Sequence, residues 1–185
     1  MYKSIIGIDP GKSGGICMYN GGDFVMALPC PNDENGMAEA MRNIVNGLEI
    51  EGIPASKILV AIENVHAFPT DTRSSAFKFG ANYGAWLGIC ASNNLKIEKI
   101  HPRVWMKKYG ELPKNKTERK RFLREIAKKC FPDARVTLKT TDAILIAKYK
   151  FEEAWGFYSD ESYPFAYHEV FLALLIIKKG DYNER

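Results

Sequence analysis

Two short apolar runs of this sequence each end on an acidic residue, and a third acid opens a later apolar run. The acids are Asp9, Glu63 and Asp142, which adjoin the runs 5–8, 58–62 and 143–147. We interpret the first two runs as strands and the third as a helix, so that two strand ends and one helix start bring three carboxylates to one point. Clustered carboxylates repel one another unless a divalent cation lies between them, and Mg²⁺ prefers oxygen ligands. The pattern therefore predicts a metal site of the kind that activates water against a phosphodiester.

The order of the predicted elements indicates an α/β domain. Apolar patterning predicts strands at 3–9, 15–20, 23–28, 57–62 and 96–100, with a hairpin turn at Asn20-Gly21-Gly22. It predicts helices at 35–50, 74–93, 103–109, 116–130, 140–153 and 165–178. This order implies a mixed five-stranded sheet flanked by helices, with an extra helix at the C-terminal end.

Positive charge is concentrated in one segment of the chain. Between Lys99 and Lys129, three Glu residues oppose twelve Lys and Arg residues, which is an excess of nine positive charges. Because the whole chain has a formal net charge of +4, the remaining residues carry a net charge of −5. A charge run alone is more often a solvated helix face. A basic segment beside an acidic, metal-binding centre instead suits a polyanion such as nucleic acid.

Length and composition are those of one globular domain. The chain has 185 residues, of which 46% are hydrophobic and 26% charged, and this length can bury a core of its own. Its longest apolar stretches are too short to cross a bilayer, and its start does not resemble a signal peptide. Four scattered cysteines form no Cys-x-x-Cys pair, which favours a reducing compartment over a zinc site or disulfides. We expect a cytoplasmic protein.

Four short segments, spread over residues 4–150, carry a resemblance to a known family. They are IGIDPG at 6–11, AIENV at 61–65 with SAFKFGANYG at 75–84, HPRVWMK at 101–107 with Lys116, and TDAILIA at 141–147. In this order and spacing they resemble the RuvC-type Holliday junction resolvases, especially the phage branch, within the ribonuclease H-like superfamily. The resemblance implies a cytoplasmic protein of a bacterial or phage-infected bacterial cell.

The resemblance also implies a catalytic site. Asp9, Glu63 and Asp142 would hold Mg²⁺, or alternatively Mn²⁺, with one ion activating water and another stabilising the departing 3′ oxygen. Lys107 and Lys116 match positions that contact the scissile phosphate, where a fixed cation opposes the negative charge that develops in the transition state. The implied activity is metal-dependent endonucleolytic hydrolysis.

The implied substrate is branched DNA, such as a four-way junction, which a homodimer would cleave in DNA recombination or repair. Further basic residues would hold the DNA backbone with salt-dependent affinity. An aromatic ring in the loop after Glu63 would stack on an unpaired base, or else pack on the sheet as an ordinary loop residue. The candidate DNA-binding residues are Lys108, Lys114, Arg119, Lys120, Arg124, His66, Phe68 and Arg73.

One position departs from the family pattern. Many relatives have a fourth acid three residues before the last aspartate, where this chain has Lys139, and Asp133 or Glu153 are possible substitutes. The departure favours, as an alternative, a junction-binding protein with weak or no cleavage. A second alternative is an RNA-processing nuclease of the same fold. A third, an ATP-binding protein of the actin–hexokinase superfamily, needs two lobes and a second phosphate loop, so we expect no nucleotide cofactor.

The domain boundary is expected near residue 155. We assign residues 1–155 to a nuclease domain and residues 156–185 to a helical extension that packs on the same domain or on a partner subunit. Gly80, Gly84 and Gly88 lie on one face of the predicted helix 74–93, where they allow close backbone approach. That face would pack against the sheet, a neighbouring helix or a second subunit.

Overall fold

A five-stranded mixed sheet forms the centre of the molecule. The structure, a computed structural model, describes residues 1–22, 25–66 and 69–155. Its strands are β1 (Ser4–Asp9), β2 (Gly15–Tyr19), β3 (Met26–Pro29), β4 (Ile58–Glu63) and β5 (Lys96–Ile100). Its helices are α1 (Glu34–Ile50), α2 (Arg73–Ser92), α3 (Pro102–Lys107), α4 (Lys116–Cys130) and α5 (Thr141–Trp155), with a 3₁₀ turn at Ala55–Lys57.

The sheet has the order β3-β2-β1-β4-β5. β1 pairs antiparallel with β2, and β2 with β3, whereas β1 pairs parallel with β4 and β4 with β5. The predicted fold class, a mixed five-stranded sheet flanked by helices, is confirmed. The helix predicted at 165–178 and residues 23 and 24 of the third predicted strand lie outside the described residues.

Alternate residues of the strands pack into two separate apolar cores, because successive side chains of a strand point to opposite faces of the sheet. Ile6 and Ile8 of β1 face α1 and α2, where they pack with residues such as Met41. Ile5 faces the other core, which α4 and α5 supply with residues such as Ile144. The sheet is therefore covered by helices on both faces.

α5 is the most deeply buried of the described helices. Its residues from Thr141 to Ala147 are all buried, and the run 143–147 is apolar on every side of the helix. The four cysteines are free. None of the described helices is both long and apolar enough to span a membrane.

Candidate active site

The three acids that adjoin apolar runs line one open pocket of about 520 Å³. Asp9 is the last residue of β1 and Glu63 the last residue of β4. The two strands are parallel neighbours in which Ile8 lies opposite Ile62, so the two carboxylates emerge side by side at the same edge of the sheet. Asp142, the second residue of α5, reaches the pocket from the helix.

A glycine lets α5 approach β1 closely enough to bring Asp142 to this edge. A Cβ atom added at Gly7 would lie 2.2 Å from the carbonyl oxygen of Ala143 and 2.8 Å from the backbone nitrogen of Ala147. Only a residue without a side chain fits between strand and helix at that distance. The start of the helix is further fixed by the Thr141 hydroxyl, which donates to the Thr137 carbonyl at 2.7 Å.

A hydrogen bond links the turn after Asp9 to α2, which packs on the other face of the sheet from α5. Gly11 has a φ of +103°, which favours glycine, and its N–H donates to Oδ1 of Asn82 on α2 at 2.7 Å. The N–H of Gly14 donates back to the Gly11 carbonyl at 2.9 Å and closes the turn. Asn82 lies in one of the segments that carry the family resemblance, but we had assigned it no role. It is 71 residues away from Gly11 in the sequence.

Glu63 is held by an indole. The Nε1–H of Trp105 on α3 donates to Oε1 of Glu63 at 3.0 Å. Trp105 is completely buried. The sequence predicted a basic role for this segment and gave no role to the tryptophan.

Burial raises the pKa of all three carboxyl groups, and repulsion from neighbouring carboxylates adds to this for Asp9 and Glu63. Burial raises the pKa of Asp9 well above its ordinary value, and the charges of Asp142 and Glu63 raise it further. Burial likewise raises the pKa of Glu63 to about 7, against the effect of the hydrogen bond from Trp105, and it also raises the pKa of Asp142. A cluster of this kind favours the replacement of its proton by a cation.

The donor set suits a hard divalent cation. Mg²⁺ is commonly bound through one or two carboxylates and keeps several waters, which the adjacent pair Asp9 and Glu63 with Asp142 nearby can provide. Among residues 1–22, 25–66 and 69–155, no group of three or more His, Cys, Asp or Glu side chains is already arranged to hold a metal ion. The residues thus fit Mg²⁺ with bound water, and they do not form a closed structural site.

Three basic side chains of α4 line the same pocket. They are Lys116, Arg119 and Lys120, which are spaced so that they share one helix face. The charge of Lys120 lowers the pKa of each of the three acids, whereas that of Arg119 lowers only the pKa of Asp142. Arg119 also donates to the carbonyls of Pro113 at 3.4 Å and Lys114 at 3.3 Å. Lys120, which we had predicted to contact the DNA backbone nonspecifically, is therefore the cation most closely coupled to the acids.

Comparison with solved structures relates this architecture to known proteins. It is similar to the structure of T. thermophilus RuvC in complex with a Holliday junction substrate, with a TM-score of 0.52 and 16% sequence identity over 84% of this chain and 97% of that chain. The fold is RuvC-like. A structure of Thermus thermophilus RuvC aligns with a TM-score of 0.50 and 16% identity over 83% of this chain and 96% of that one. No protein-family model matches the sequence, and no curated protein matches it.

Several predicted site residues lie outside the pocket. Lys107 is exposed and does not line it. The placement therefore does not support direct contact of Lys107 with the reacting phosphate. Lys108 pairs with Glu152 at 3.6 Å, and Nε of Arg124 donates to the Val136 carbonyl at 3.4 Å. Lys114 and Arg73 are exposed at the starts of α4 and α2.

Among the residues that the structure describes, no acid takes the place of the fourth carboxylate in the pocket. Lys139 is exposed and does not line the pocket. Of the possible substitutes, Asp133 is exposed and Glu153 pairs with Lys150 at 2.6 Å. Neither lines the pocket. The described pocket thus has three carboxylates.

Aromatic rings flank the acids. His66 lines the pocket and stacks on His101 with ring centroids 6.2 Å apart, whereas Phe68 lies outside the described residues. Phe79 of α2 also lines the pocket, next to Gly11. We had not predicted Phe79 as a site residue, although its position in the segment 75–84 was a signal that the sequence carried.

Proposed function

We propose that this chain is a Mg²⁺-dependent endonuclease that hydrolyses phosphodiesters in branched DNA, including four-way junctions. The observation that carries the proposal is the convergence of Asp9, Glu63 and Asp142 on one pocket that three basic side chains of α4 also line. The likeness to RuvC structures supports the fold in which this site lies. The assignment to the phage branch rests on the sequence segments alone.

The residues of the pocket divide into acids that hold the metal and cations that hold the substrate. Asp9, Glu63 and Asp142 would hold Mg²⁺, which when bound supplies an activated water and a Lewis acid for the phosphodiester. Lys120 lies where it can neutralise charge on the phosphate next to the acids. Lys116, one helical turn away on the same face, would bind the same or the neighbouring phosphate. The pocket is open, as a polymeric substrate requires.

Branched DNA is the substrate class that this surface suits best. The neighbouring RuvC structure was determined in complex with a Holliday junction substrate. In this chain, the basic face of α4 would bind phosphates with salt-dependent affinity, while His66 and Phe79 offer rings beside the acids for an unpaired base. A surface of this kind recognises strands that leave the duplex stack.

We further propose that the nuclease acts as a homodimer, with residues 1–155 as its catalytic domain and residues 156–185 as an extension on that domain or on the partner. α2 supports the dimer, because its outer face is left uncovered by the described residues. A Cβ atom at Gly80, Gly84 or Gly88 would meet nothing within 4 Å, and Phe77 is 77% exposed. A symmetric dimer would present two active sites to the two opposed strands of a four-way junction.

Cleavage of a synthetic four-way junction tests the proposal. The full chain should nick the junction in Mg²⁺ or Mn²⁺ but not in EDTA. The variants Asp9→Asn and Asp142→Asn should bind the junction without cutting it, since each keeps its shape and loses its charge. Asp133→Asn is the matched control, because Asp133 is exposed and lies outside the pocket. Intact strands with the wild type, or equal cutting by Asp9→Asn, would refute the nuclease.

A junction-binding protein without cleavage activity is the second candidate. Lys139, at the position of the fourth acid, favours it. Tight junction binding by the wild type with no cutting in either metal would establish this function. Metal-dependent nicking that is lost in Asp142→Asn would exclude it.

A further inference from the structure

Trp105 is the residue of α3 whose side chain forms a hydrogen bond with one of the acids. The indole is completely buried, and its Nε1–H donates to Oε1 of Glu63 at 3.0 Å. The two residues are 42 positions apart in the sequence. Lys107 of the same short helix is exposed, because two residues of helix turn its side chain to the opposite side. The segment 101–107 thus serves the site through an indole.

Trp105 is itself fixed by its neighbours. Its ring packs edge-on against Tyr109 with centroids 6.2 Å apart. The Tyr109 hydroxyl donates to the backbone carbonyl of Leu145 in α5 at 2.7 Å. The contacts therefore run from α5, which carries Asp142, through Tyr109 and Trp105 to Glu63 at the end of β4. The indole has little freedom to follow a carboxylate that moves.

The hydrogen bond restricts how Glu63 can present its oxygens. A carboxylate accepts through both oxygens, and here Oε1 already accepts the indole N–H. Bonds from N–H groups to ionised carboxylates are stronger than neutral ones. The bond thus selects one orientation of the carboxylate before a ligand arrives, and Oε2 is left for that ligand. Without the donor, a bound ion would have to order the side chain itself.

We propose that Trp105 is a positioning residue that holds Glu63 in its metal-binding orientation. This inference rests on the metal-dependent function proposed above, and it concerns the affinity of the site for its ion. Hydrogen-bond partners of metal ligands typically change metal affinity or activity by roughly 10- to 100-fold when they are removed. Trp105→Phe should therefore weaken Mn²⁺ binding by a factor in that range.

The chain offers a matched control. Trp86 of α2 is also completely buried, but its Nε1 has no hydrogen-bond partner among the described residues. Trp86→Phe makes the same change of ring size in the other core and removes no bond to a carboxylate. Mn²⁺ affinity of both variants is measured on the full chain by calorimetry, together with the Mg²⁺ concentration that gives half-maximal junction cleavage.

We expect Trp105→Phe to bind Mn²⁺ more weakly and to need a higher Mg²⁺ concentration for half-maximal junction cleavage. Both quantities should stay within twofold of wild type in Trp86→Phe. At saturating Mg²⁺, the cleavage rate of Trp105→Phe should return toward the wild-type rate, which general damage to the fold would not allow. Equal Mn²⁺ affinity in wild type and Trp105→Phe, or equal losses in both variants, would overturn the inference.

A measurement on the wild type covers the case in which Trp105→Phe does not fold. The chain has three tryptophans, so a ¹⁵N spectrum contains three indole signals, which Trp86→Phe and the corresponding Trp155→Phe variant assign by elimination. Mg²⁺ should shift the Trp105 signal and leave that of Trp86 in place. An unmoved Trp105 signal would overturn the inference. A shifted signal and weakened Mn²⁺ binding in a protein that cuts no junction would support the positioning role and refute the nuclease.

Discussion

Replacing Gly7 by alanine tests how tightly α5 is set against β1. The new Cβ would lie 2.2 Å from the Ala143 carbonyl oxygen and 2.8 Å from the Ala147 nitrogen. Ordinary contact begins near 3.4 Å, so the helix must move away by about 1.2 Å. Both atoms belong to the backbone, and no change of rotamer can make room. Overpacking of a core costs ~1–3 kcal/mol and occasionally more, and we expect Gly7→Ala to lose ~3 kcal/mol or more of the free energy of unfolding.

The same movement should also reduce cleavage, because Asp142 travels with α5 while Asp9 stays on β1. A misplacement of ~1 Å can lower a catalytic rate by roughly 100-fold. Urea unfolding measures the stability, and junction cleavage at saturating Mg²⁺ by the folded fraction measures the rate. Gly88→Ala is the control, since a Cβ there would meet nothing within 4 Å. In dilute solution, where contact between subunits is minimal, Gly88→Ala should raise the free energy of unfolding by ~0.5–1 kcal/mol.

Wild-type stability in Gly7→Ala would refute the close approach of α5 to β1. A double variant identifies the clash more closely. Adding Ala147→Gly removes the Ala147 Cβ, which lies 2.9 Å from the new atom, but it leaves the Ala143 carbonyl at 2.2 Å. The double variant should therefore recover little stability. Full recovery would mean that a side chain, and not the backbone of α5, opposes the new methyl group.

Three further outcomes follow from the charges and exposed surfaces of the molecule. Lys120→Gln should slow cleavage yet tighten Mn²⁺ binding by roughly three- to tenfold, since ~1 kcal/mol of repulsion is removed; Lys107→Gln should change neither. Burial raises the pKa of Glu63 from 4.5 to about 7, so the metal-free folded protein binds more protons than the unfolded chain between these values. Its free energy of unfolding in EDTA should therefore fall as pH rises through that window, and Glu63→Gln should flatten the dependence. Gly84→Glu should convert a dimer to a folded monomer in analytical ultracentrifugation, and an unchanged dimer would exclude the outer face of α2 as the contact.

The elements of the fold were predictable because their signals are local. Alternating and helical periodicities, and turns such as the one at Asn20-Gly21-Gly22, are properties of neighbouring residues. α4 was predicted with its observed bounds, Lys116–Cys130, since Asn115 caps its first turn with hydrogen bonds to Thr117 and Glu118. The ends of helices and strands also depend on tertiary contacts, so their predicted positions were less accurate. α3 ends at Lys107, two residues before its predicted end.

The candidate site was predictable in its acids but not in the residues that hold them. Acids at the ends of apolar runs are visible in one sequence, and the structure brings Asp9, Glu63 and Asp142 to one pocket. The bond of Asn82 to Gly11 spans 71 residues, and that of Trp105 to Glu63 spans 42. No local pattern contains such a pairing.

The sequence also does not show which side of α3 faces the sheet. Val104, Trp105 and Met106 are consecutive apolar residues on a helix of six residues, so periodicity does not distinguish its buried side. Packing decides it, with Val104 51% exposed and Trp105 fully buried. This choice turns the indole toward Glu63 and leaves Lys107 exposed, whereas the family resemblance alone implied that Lys107 contacts the phosphate.

The three acids are held by elements from both faces of the sheet, and this dependence makes the site a property of the whole domain. Asn82 reaches the turn after Asp9 from α2, in the core formed with α1. Trp105 holds Glu63 from the opposite core, which also carries α5 and Asp142. Loss of packing on either face therefore displaces one acid relative to the others. Since the raised pKa values arise from burial, local opening on either face should lower these pKa values and weaken metal binding.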